Sequence, residues 1–391
     1  MTQPEGFSMR GLAVSAYGPS LLFGLGEGAI LPVIPLTAHD LGGSVALAAF
    51  VVVLINIGSL VFNVPASVIT HRYGERHAIV GAAVMGVLAS VLWWMANGLW
   101  LLMIGAVLFG MSASIFMLAR QSYLTEAVPP RYRARALSTL GGVMRVGVFL
   151  GPFVGAAVIG VWGERGAYAV CAVALVVAGL LAATLEDLPT RVAVSDGPQP
   201  TVRSVLRDHR RTFAVVGTGI LLVAAVRASR QAVIPLWAQH IGLSAQAASI
   251  VYGISGGIDM LVFYPAGRVM DLRGRRWVTV PSMLVMGAAL LAMPLTHNVI
   301  AFSLVSCVLG FGNGIGSGMV MTLGADFSPD VGRAQFLGIW REMSDLGATG
   351  GPALLSAVTA AFALGPAIAV SGVVGLVAAA VLWRAVPPKT R

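Results

Sequence analysis

The chain has 391 residues, of which 57% are hydrophobic and only 10% charged, and its mean hydropathy is +0.86. A soluble domain carries roughly 25% charged residues, so composition excludes a soluble fold and points to lipid as the natural solvent. The formal charge of +9 does not imply a nucleic-acid partner, because the positive residues are distributed by side: nineteen of the 25 Lys+Arg fall on alternate connections between apolar runs, and Arg165 alone falls on the others.

Apolar runs of about 20 residues, the length that spans a bilayer, lie at 12–36, 46–70, 78–96, 99–123, 136–161, 166–185, 212–237, 246–270, 277–296, 299–325, 335–361 and 365–386. They predict twelve transmembrane helices. The first run follows a short polar start and is read as a retained span, not a cleaved signal. Connections on one side are very short, as between Ala96 and Leu99 or Phe362 and Gly365. On the other side they carry the arginines, and the positive-inside rule makes that side cytoplasmic. Both termini are then cytoplasmic, and the protein is a multi-pass protein of the cell (inner or plasma) membrane. The longest polar stretch, Glu186 to Arg211, holds Pro189, Pro198, Pro200 and five arginines. It predicts a layout of two six-helix bundles, 1–188 and 212–391, joined by a cytoplasmic linker at 189–211. Cys171 and Cys307 sit within apolar runs and read as small core residues.

The two halves repeat at an offset of 200. Val33-Ile34-Pro35-Leu36 matches Val233-Ile234-Pro235-Leu236, and Pro65-Ala66 matches Pro265-Ala266. Gly74, Arg76, Pro129 and Arg133 match Gly274, Arg276, Pro329 and Arg333; Gly147, Gly151 and Pro152 match Gly347, Gly351 and Pro352. Apolar bias does not place Gly, Pro and Arg at one fixed offset. Six helices return the chain to its starting side, so the halves are parallel repeats about an axis along the membrane normal.

The connection after the eighth run reads Gly267-Arg-Val-Met-Asp271-Leu-Arg273-Gly274-Arg275-Arg276. It resembles the loop signature of the major facilitator superfamily. In physical terms, glycine permits a tight turn, the arginines hold the loop at the headgroups, and Asp271 is placed to meet an arginine or a helix N-terminus. The first-half copy has Ser67 and His71 in place of Gly and Asp. The fifth run carries Gly147, Gly151, Pro152 and Gly155 and is similar to the motif associated with proton-coupled antiporters, including twelve-helix drug exporters. Small residues there allow tight packing, expected across the interface between halves, and Pro152 can bend the helix. The fourth run departs from that group, with Ala106 where an arginine is usual.

Charges inside the runs mark sites, since each costs roughly 2.5–3.5 kcal/mol at the bilayer centre. Glu27 lies about 15 residues into the first helix, roughly 22 Å along it, and Arg227 is its repeat mate, with Arg230 one turn on. The expected pairing is Glu27 with Arg227 or Arg230, a proton-coupling or gating element. Arg145 and Asp259 are expected to meet near mid-depth, and Asp345 is the deepest acid of the Arg341–Glu342–Asp345 cluster. Arg120, Glu126 and Asp326 are expected at the membrane interface. Trp93 and Trp94 are expected to face lipid, and Trp237 to anchor at the interface. Phe23, Phe149, Tyr252, Phe263, Met144 and Met260 are candidates to line an adaptable apolar cavity.

Three functional classes follow. The first, implied by the resemblance, is a secondary transporter working by alternating access, coupling protons to efflux of hydrophobic or amphipathic small molecules. The second is a carrier of another class such as a sugar, an organic anion or a lipid-like metabolite; Arg145, Arg227 and Arg230 suit an anion. The third, a membrane enzyme or sensor, finds no support: the six histidines lack ligand spacing, and the glycines from Gly310 to Gly316 lie inside a span with no preceding strand. The reading is therefore a non-enzymatic monomer with no metal and no cofactor, whose partners are a small-molecule substrate, protons and the bilayer. The halves differ most in charge at matched positions: Glu27 opposes Arg227, His71 opposes Asp271 and Arg145 opposes Asp345.

Overall fold

The structure, a computed structural model, describes residues 13–128, 130–186, 201–329 and 331–387. Twelve long helices fill them: α1 (Gly18–Asp40), α2 (Val45–Tyr73), α3 (Glu75–Trp94), α4 (Leu99–Ala127), α5 (Pro130–Trp162), α6 (Arg165–Ala183), α7 (Arg210–His240), α8 (Ala245–Arg273), α9 (Arg276–Leu295), α10 (Val299–Phe327), α11 (Arg333–Ala361) and α12 (Leu364–Ala385). Eleven are long and apolar enough to cross a membrane on length and composition. The other, α11, matches them in length with 29 residues. It carries Arg333, Arg341, Glu342 and Asp345 along its first half, which lowers its hydropathy. The predicted twelve-helix all-α membrane fold is observed, with no strand among the described residues.

The repeat extends to backbone irregularities. Five-residue π-helical segments precede the regular helix at Ala13–Tyr17 and, 200 positions on, at Phe213–Gly217. Gly74 and Gly274 both take positive φ, +80° and +99°, so each tight turn into the next helix sits where a side chain would be strained. Two breaks fall within spans. Turn residues at 31–33 interrupt α1, beside Pro32 and Pro35, and residues 316–318 interrupt α10, where Gly318 has φ +82°. Most of the predicted linker at 189–211 lies outside the described residues. Its later part forms a short helix, Val202–Asp208, whose N-terminus is capped by Thr201 Oγ1 accepting from the Ser204 N–H.

Two compact units emerge. The first contains Met1–Leu31 and Ile57–Arg191; the second contains Pro32–Asn56 and Val192–Arg391. Residues 32–56, expected with the N-terminal bundle, thus group with the C-terminal residues. Ser356 donates to the Ala46 carbonyl at 2.7 Å and Asn56 Nδ2 to the Ala348 carbonyl at 3.3 Å.

Glycine sets how closely helices approach. In the first unit, a Cβ on Gly147 would fall against the Leu21 carbonyl oxygen, and one on Gly151 against that of Leu25. From the α1 side, Gly24 and Gly28 stand in the same relation to the carbonyls of Met144 and Val148. The second unit repeats this: Gly347 and Gly351 on α11 meet the carbonyls of Leu221 and Ala225 on α7. The small-residue motif expected to pack across the interface between halves therefore packs α5 on α1 within the first unit. Backbone-to-backbone approach is the means by which membrane helices gain van der Waals contact without a hydrophobic driving force. A Cβ on Gly267, by contrast, meets open space.

Two tryptophans are placed differently from expectation. Trp93 is 1% exposed and donates to the Leu102 carbonyl at 3.0 Å, while its neighbour Trp94 is exposed. Adjacent helical residues point about 100° apart, so one ring faces the core and the other faces out. Trp237 is buried and donates to Thr296 Oγ1 at 2.8 Å.

Replacing Gly151 with Val should lower the Tm sharply, since overpacking costs about 1–3 kcal/mol or more where backbone must move. Gly267→Ala should leave it unchanged or raise it, as helical Gly→Ala gains about 0.5–1 kcal/mol. Thermal unfolding in detergent, followed by size-exclusion fluorescence, separates the two.

Candidate functional site

In the first unit, a column of aromatic rings runs from Tyr168 through Trp93 and Phe109 to Phe23 and Phe116. Phe23 of α1 and Phe116 of α4 are stacked with centroids 4.1 Å apart. Glu27 is one turn beyond Phe23, and Arg120 is one turn beyond Phe116. Since α1 and α4 traverse the membrane in opposite senses, the two charges lie on either side of the ring pair. A helical side chain points back toward its N-terminus, and the Arg120 guanidinium lies with Cζ 5.8 Å from the Phe116 centroid. Glu27 and Arg120 act on one another electrostatically.

Arg120 is only 8% exposed. Its Nη2 lies 2.8 Å from Met117 Sδ, and its Nε and Nη1 have no acceptor. The coupling to Glu27 therefore acts through space and not through a hydrogen bond. Arg120 was expected at the interface and is instead a buried cation. The sequence signal that finds it is the spacing of Phe116 and Arg120, which puts the arginine on the aromatic face of α4. Gly26 and Gly28 flank Glu27 because α1 is wedged between Cys171 of α6 and Val148 of α5.

In the second unit, Arg227 and Arg230 on α7 have partners other than the expected Glu27. Arg230 Nη2 is 3.7 Å from Asp259 Oδ2 on α8, and its Cζ lies 5.9 Å from the Tyr252 ring centroid. Arg227 Nε donates to Asn313 Oδ1 on α10 at 2.8 Å. Asn313 Nδ2 in turn donates to Asp259. One amide thus ties an acid to a base. The close approach of α8 and α10 that permits this is set by Gly310 and Gly314, whose Cβ atoms would overlap the backbone of Ser255 and Asp259. Asp259, expected opposite Arg145, pairs with Arg230; Arg145 lies on an exposed position of α5. Asp345 lies 3.8 Å from Arg341 Nε, the expected i,i+4 contact. Asn313, like Arg120, was not foreseen, because an amide in a glycine-rich run reads as packing.

The loop after α8 forms a compact ionic knot. Arg275 Nε donates to Asp326 Oδ2 at 2.8 Å, and Nη1 to Asp271 Oδ1 at 3.3 Å and to the Met270 carbonyl at 3.2 Å. Hydrogen bonding to Asp326 holds the Arg275 guanidinium above the ordinary arginine range. Arg276 lies over the Trp383 ring with Cζ 3.7 Å from its centroid. Gly274 supplies the turn that brings these groups together. At the same offset of 200, the first unit places His71, Glu75 and Glu126 around a pocket of about 270 Å³, and Ser122 Oγ donates to Glu75 at 2.8 Å. Where the second unit has acid, base and acid, the first has imidazole and two carboxylates.

A family model described as the Major Facilitator Superfamily matches residues 20–262 and 216–391. The chain belongs to that superfamily. Among curated facilitators it is 23% identical over 323 residues to the multidrug resistance protein MdtL of Escherichia coli, covering 81% of each chain. It is 28% identical over 177 residues to the sugar transport protein MST8 of Oryza sativa subsp. japonica, spanning 44% of this chain and 34% of the rice protein. Solved facilitator folds superpose closely. A D-xylose-proton symporter matches with TM-score 0.78 at 17% identity, covering 98% of this chain and all of the other. A bacterial homologue of the lysosomal transporter Spinster matches with TM-score 0.79 at 16% identity, covering 97% and 98%. Fold and family are those of transporters, and the resemblance to the drug:proton antiporter group agrees with the MdtL match.

Asp326→Asn should remove the carboxylate that accepts from both Arg275 Nε and Nη2 and lower the Tm by a few degrees, a loss of about 1.5–3 kcal/mol for a charged hydrogen bond. For a base whose value is raised, the stabilising charge is present below that value and lost only above it. The effect should therefore be flat across about pH 5–9 and diminish with added salt. Melting curves over a pH and salt grid check this.

Proposed function

We propose that this facilitator couples proton movement to efflux of amphipathic small molecules by alternating access, with Glu27 as proton carrier and Arg120 as the fixed charge that senses it. The carrying observation is the Glu27–Arg120 pair. A carboxylate within a transmembrane helix persists only with a partner or a wet cavity. Here the partner is buried, lacks acceptors on two of its nitrogens, and is not hydrogen-bonded to the acid. When Glu27 takes a proton, the field on Arg120 disappears without a bond having to be broken. The balance of charge inside the first unit then changes with each proton, and this is what a coupled two-state carrier requires.

The family context supports the reading at the level of chemistry. MdtL is named for multidrug resistance, and one solved neighbour is named a proton symporter. Arg145, Asp345 and the Arg230–Asp259 pair are the proposed gating groups. The loop motif Gly267, Asp271, Gly274, Arg275 and Arg276 is the proposed conformational latch, and Gly147, Gly151, Pro152 and Gly155 form the rigid packing face. The arginine-rich connections support a topology with both termini in the cytoplasm, and the proposed carrier works as a monomer in the inner or plasma membrane.

In proteoliposomes under an imposed pH gradient, exchange of one proton per substrate drives accumulation about tenfold per pH unit. Glu27→Gln should abolish that accumulation while retaining gradient-free counterflow. Glu27→Gln vesicles that accumulate substrate as the wild type does would remove Glu27 from the mechanism.

A further inference from the structure

The first unit carries a groove that proton coupling does not use. It lies between α1, α5 and α6, has a volume of about 360 Å³, and is lined by aliphatic side chains and by Trp162. Two stripes of side chains wall it. On α5, Val154, Val158 and Trp162 recur every four residues. On α6, Ala169, Val173 and Val177 do the same. Four residues before Ala169 stands Arg165, the first residue of that helix. Residues four apart share a helix face. Because α5 ends at Trp162 and α6 begins at Arg165, ring and guanidinium cap the two stripes at the same end. Both are exposed, as is Val173 at 65%. From Trp162 down to Val154 is roughly 12 Å at 1.5 Å per residue, most of the hydrocarbon depth of one leaflet, about 15 Å.

The capping pair is set apart by its side and by the repeat. On the topology proposed above, Arg165 is the one cation of the outer connections. Two hundred positions on, Val373 and Val377 again present exposed apolar surface, but Phe362 and Gly365 stand where Trp162 and Arg165 stand. The second unit thus repeats the apolar wall without its polar cap. Ordinary contact with lipid tails needs only the wall. The cap adds a fixed positive charge and an indole N–H at headgroup depth, and both suit a phosphate. The adjoining Glu164 is half-buried and already engaged, whereas Arg165 stands exposed.

We propose that this groove binds one anionic glycerophospholipid of the outer leaflet. Its phosphate accepts from the Arg165 guanidinium, the Trp162 ring lies at the level of the glycerol, and one acyl chain runs down between the two stripes. A zwitterionic phospholipid brings a cation of its own to the same depth and gains less from Arg165. The site is a fixed lipid contact, separate from the Glu27–Arg120 pair, and it stands whether or not Glu27 carries protons.

The test reads Trp162 fluorescence in bilayers. The full chain is reconstituted in phosphatidylcholine with rising amounts of phosphatidylglycerol or phosphatidylcholine brominated in the acyl chains, since bromine quenches a tryptophan that it touches. Subtracting the signal of a matched Trp162→Phe partner isolates this ring among the eight tryptophans. Brominated phosphatidylglycerol is expected to quench at about fivefold lower mole fraction than brominated phosphatidylcholine. Arg165→Gln should bring the two lipids together while both still quench. Phe362→Trp, made in the Trp162→Phe background, reports the uncharged repeat and should show no preference. Equal quenching by the two lipids at Trp162 of the unmodified chain would overturn the proposal. So would a preference retained in Arg165→Gln, the same preference at Phe362→Trp, or no quenching by either lipid, as when a second copy covers the groove. The lipid comparison at Trp162 decides the matter even where Arg165→Gln does not fold. No pH gradient is applied, so this result and the Glu27 result fail independently.

Discussion

A charge at membrane depth has no water to solvate it, so the protein itself must supply what water would have given. That constraint organises both units. In the first, Glu27 is answered by the field of Arg120 across a stacked ring pair. In the second, Asp259 is answered by Arg230 and by the Asn313 amide, which also holds Arg227. The two solutions differ in kind. The first is an attraction through space, with no hydrogen bond between the two groups. The second is a hydrogen-bonded chain from Arg227 through Asn313 to Asp259, beside which Arg230 Nη1 lies buried without an acceptor.

These charges are held in place by helices that touch backbone to backbone. Gly24, Gly28, Gly147 and Gly151 form one such seam, and Gly347 and Gly351 form part of its symmetry mate. The seam accounts for repeated identities that hydropathy alone leaves unexplained. A single added methyl would collide with a carbonyl oxygen, so the positions tolerate nothing larger. Packing of this kind joins α1 closely with α5, and α7 closely with α11, and each pair carries one of the charged elements.

Much of this was legible in the sequence. Spans, the 200-residue repeat, the glycine-rich fifth helix and the arginine-rich loops follow from periodicity and from residue types whose physics is local. Pairing was less legible. Glu27 and Arg227 oppose one another in the repeat, and alignment suggested that they meet in space. In fact Arg230 and Arg227 are engaged by Asp259 and Asn313, because α8 and α10 approach α7 within the same unit. Arg120 near the end of α4 read as a headgroup anchor, since hydropathy cannot tell a snorkelling arginine from one turned back over a phenylalanine. Trp93 and Trp94 read alike, although a helix turns one inward and the other outward. Long-range partners depend on which helices are neighbours, and that is a property of the fold more than of any one segment.

The division of the chain into units carries a mechanical consequence. The boundaries fall at Leu31/Pro32 and Asn56/Ile57, inside α1 and α2, as well as at Arg191/Val192. Two of these boundaries therefore fall within helices. A loop joint transmits almost no torque, whereas a helix resists bending except where its hydrogen-bond ladder is interrupted. The first joint is interrupted in this way, by the turn at 31–33 beside Pro32. The second is an unbroken helix. The first boundary thus lies where the helix can bend, and the second where it resists bending. Glu27 sits one helical turn before the interruption at 31–33, so the buried acid and the weakest point of the α1 hydrogen-bond ladder are neighbours along the same helix.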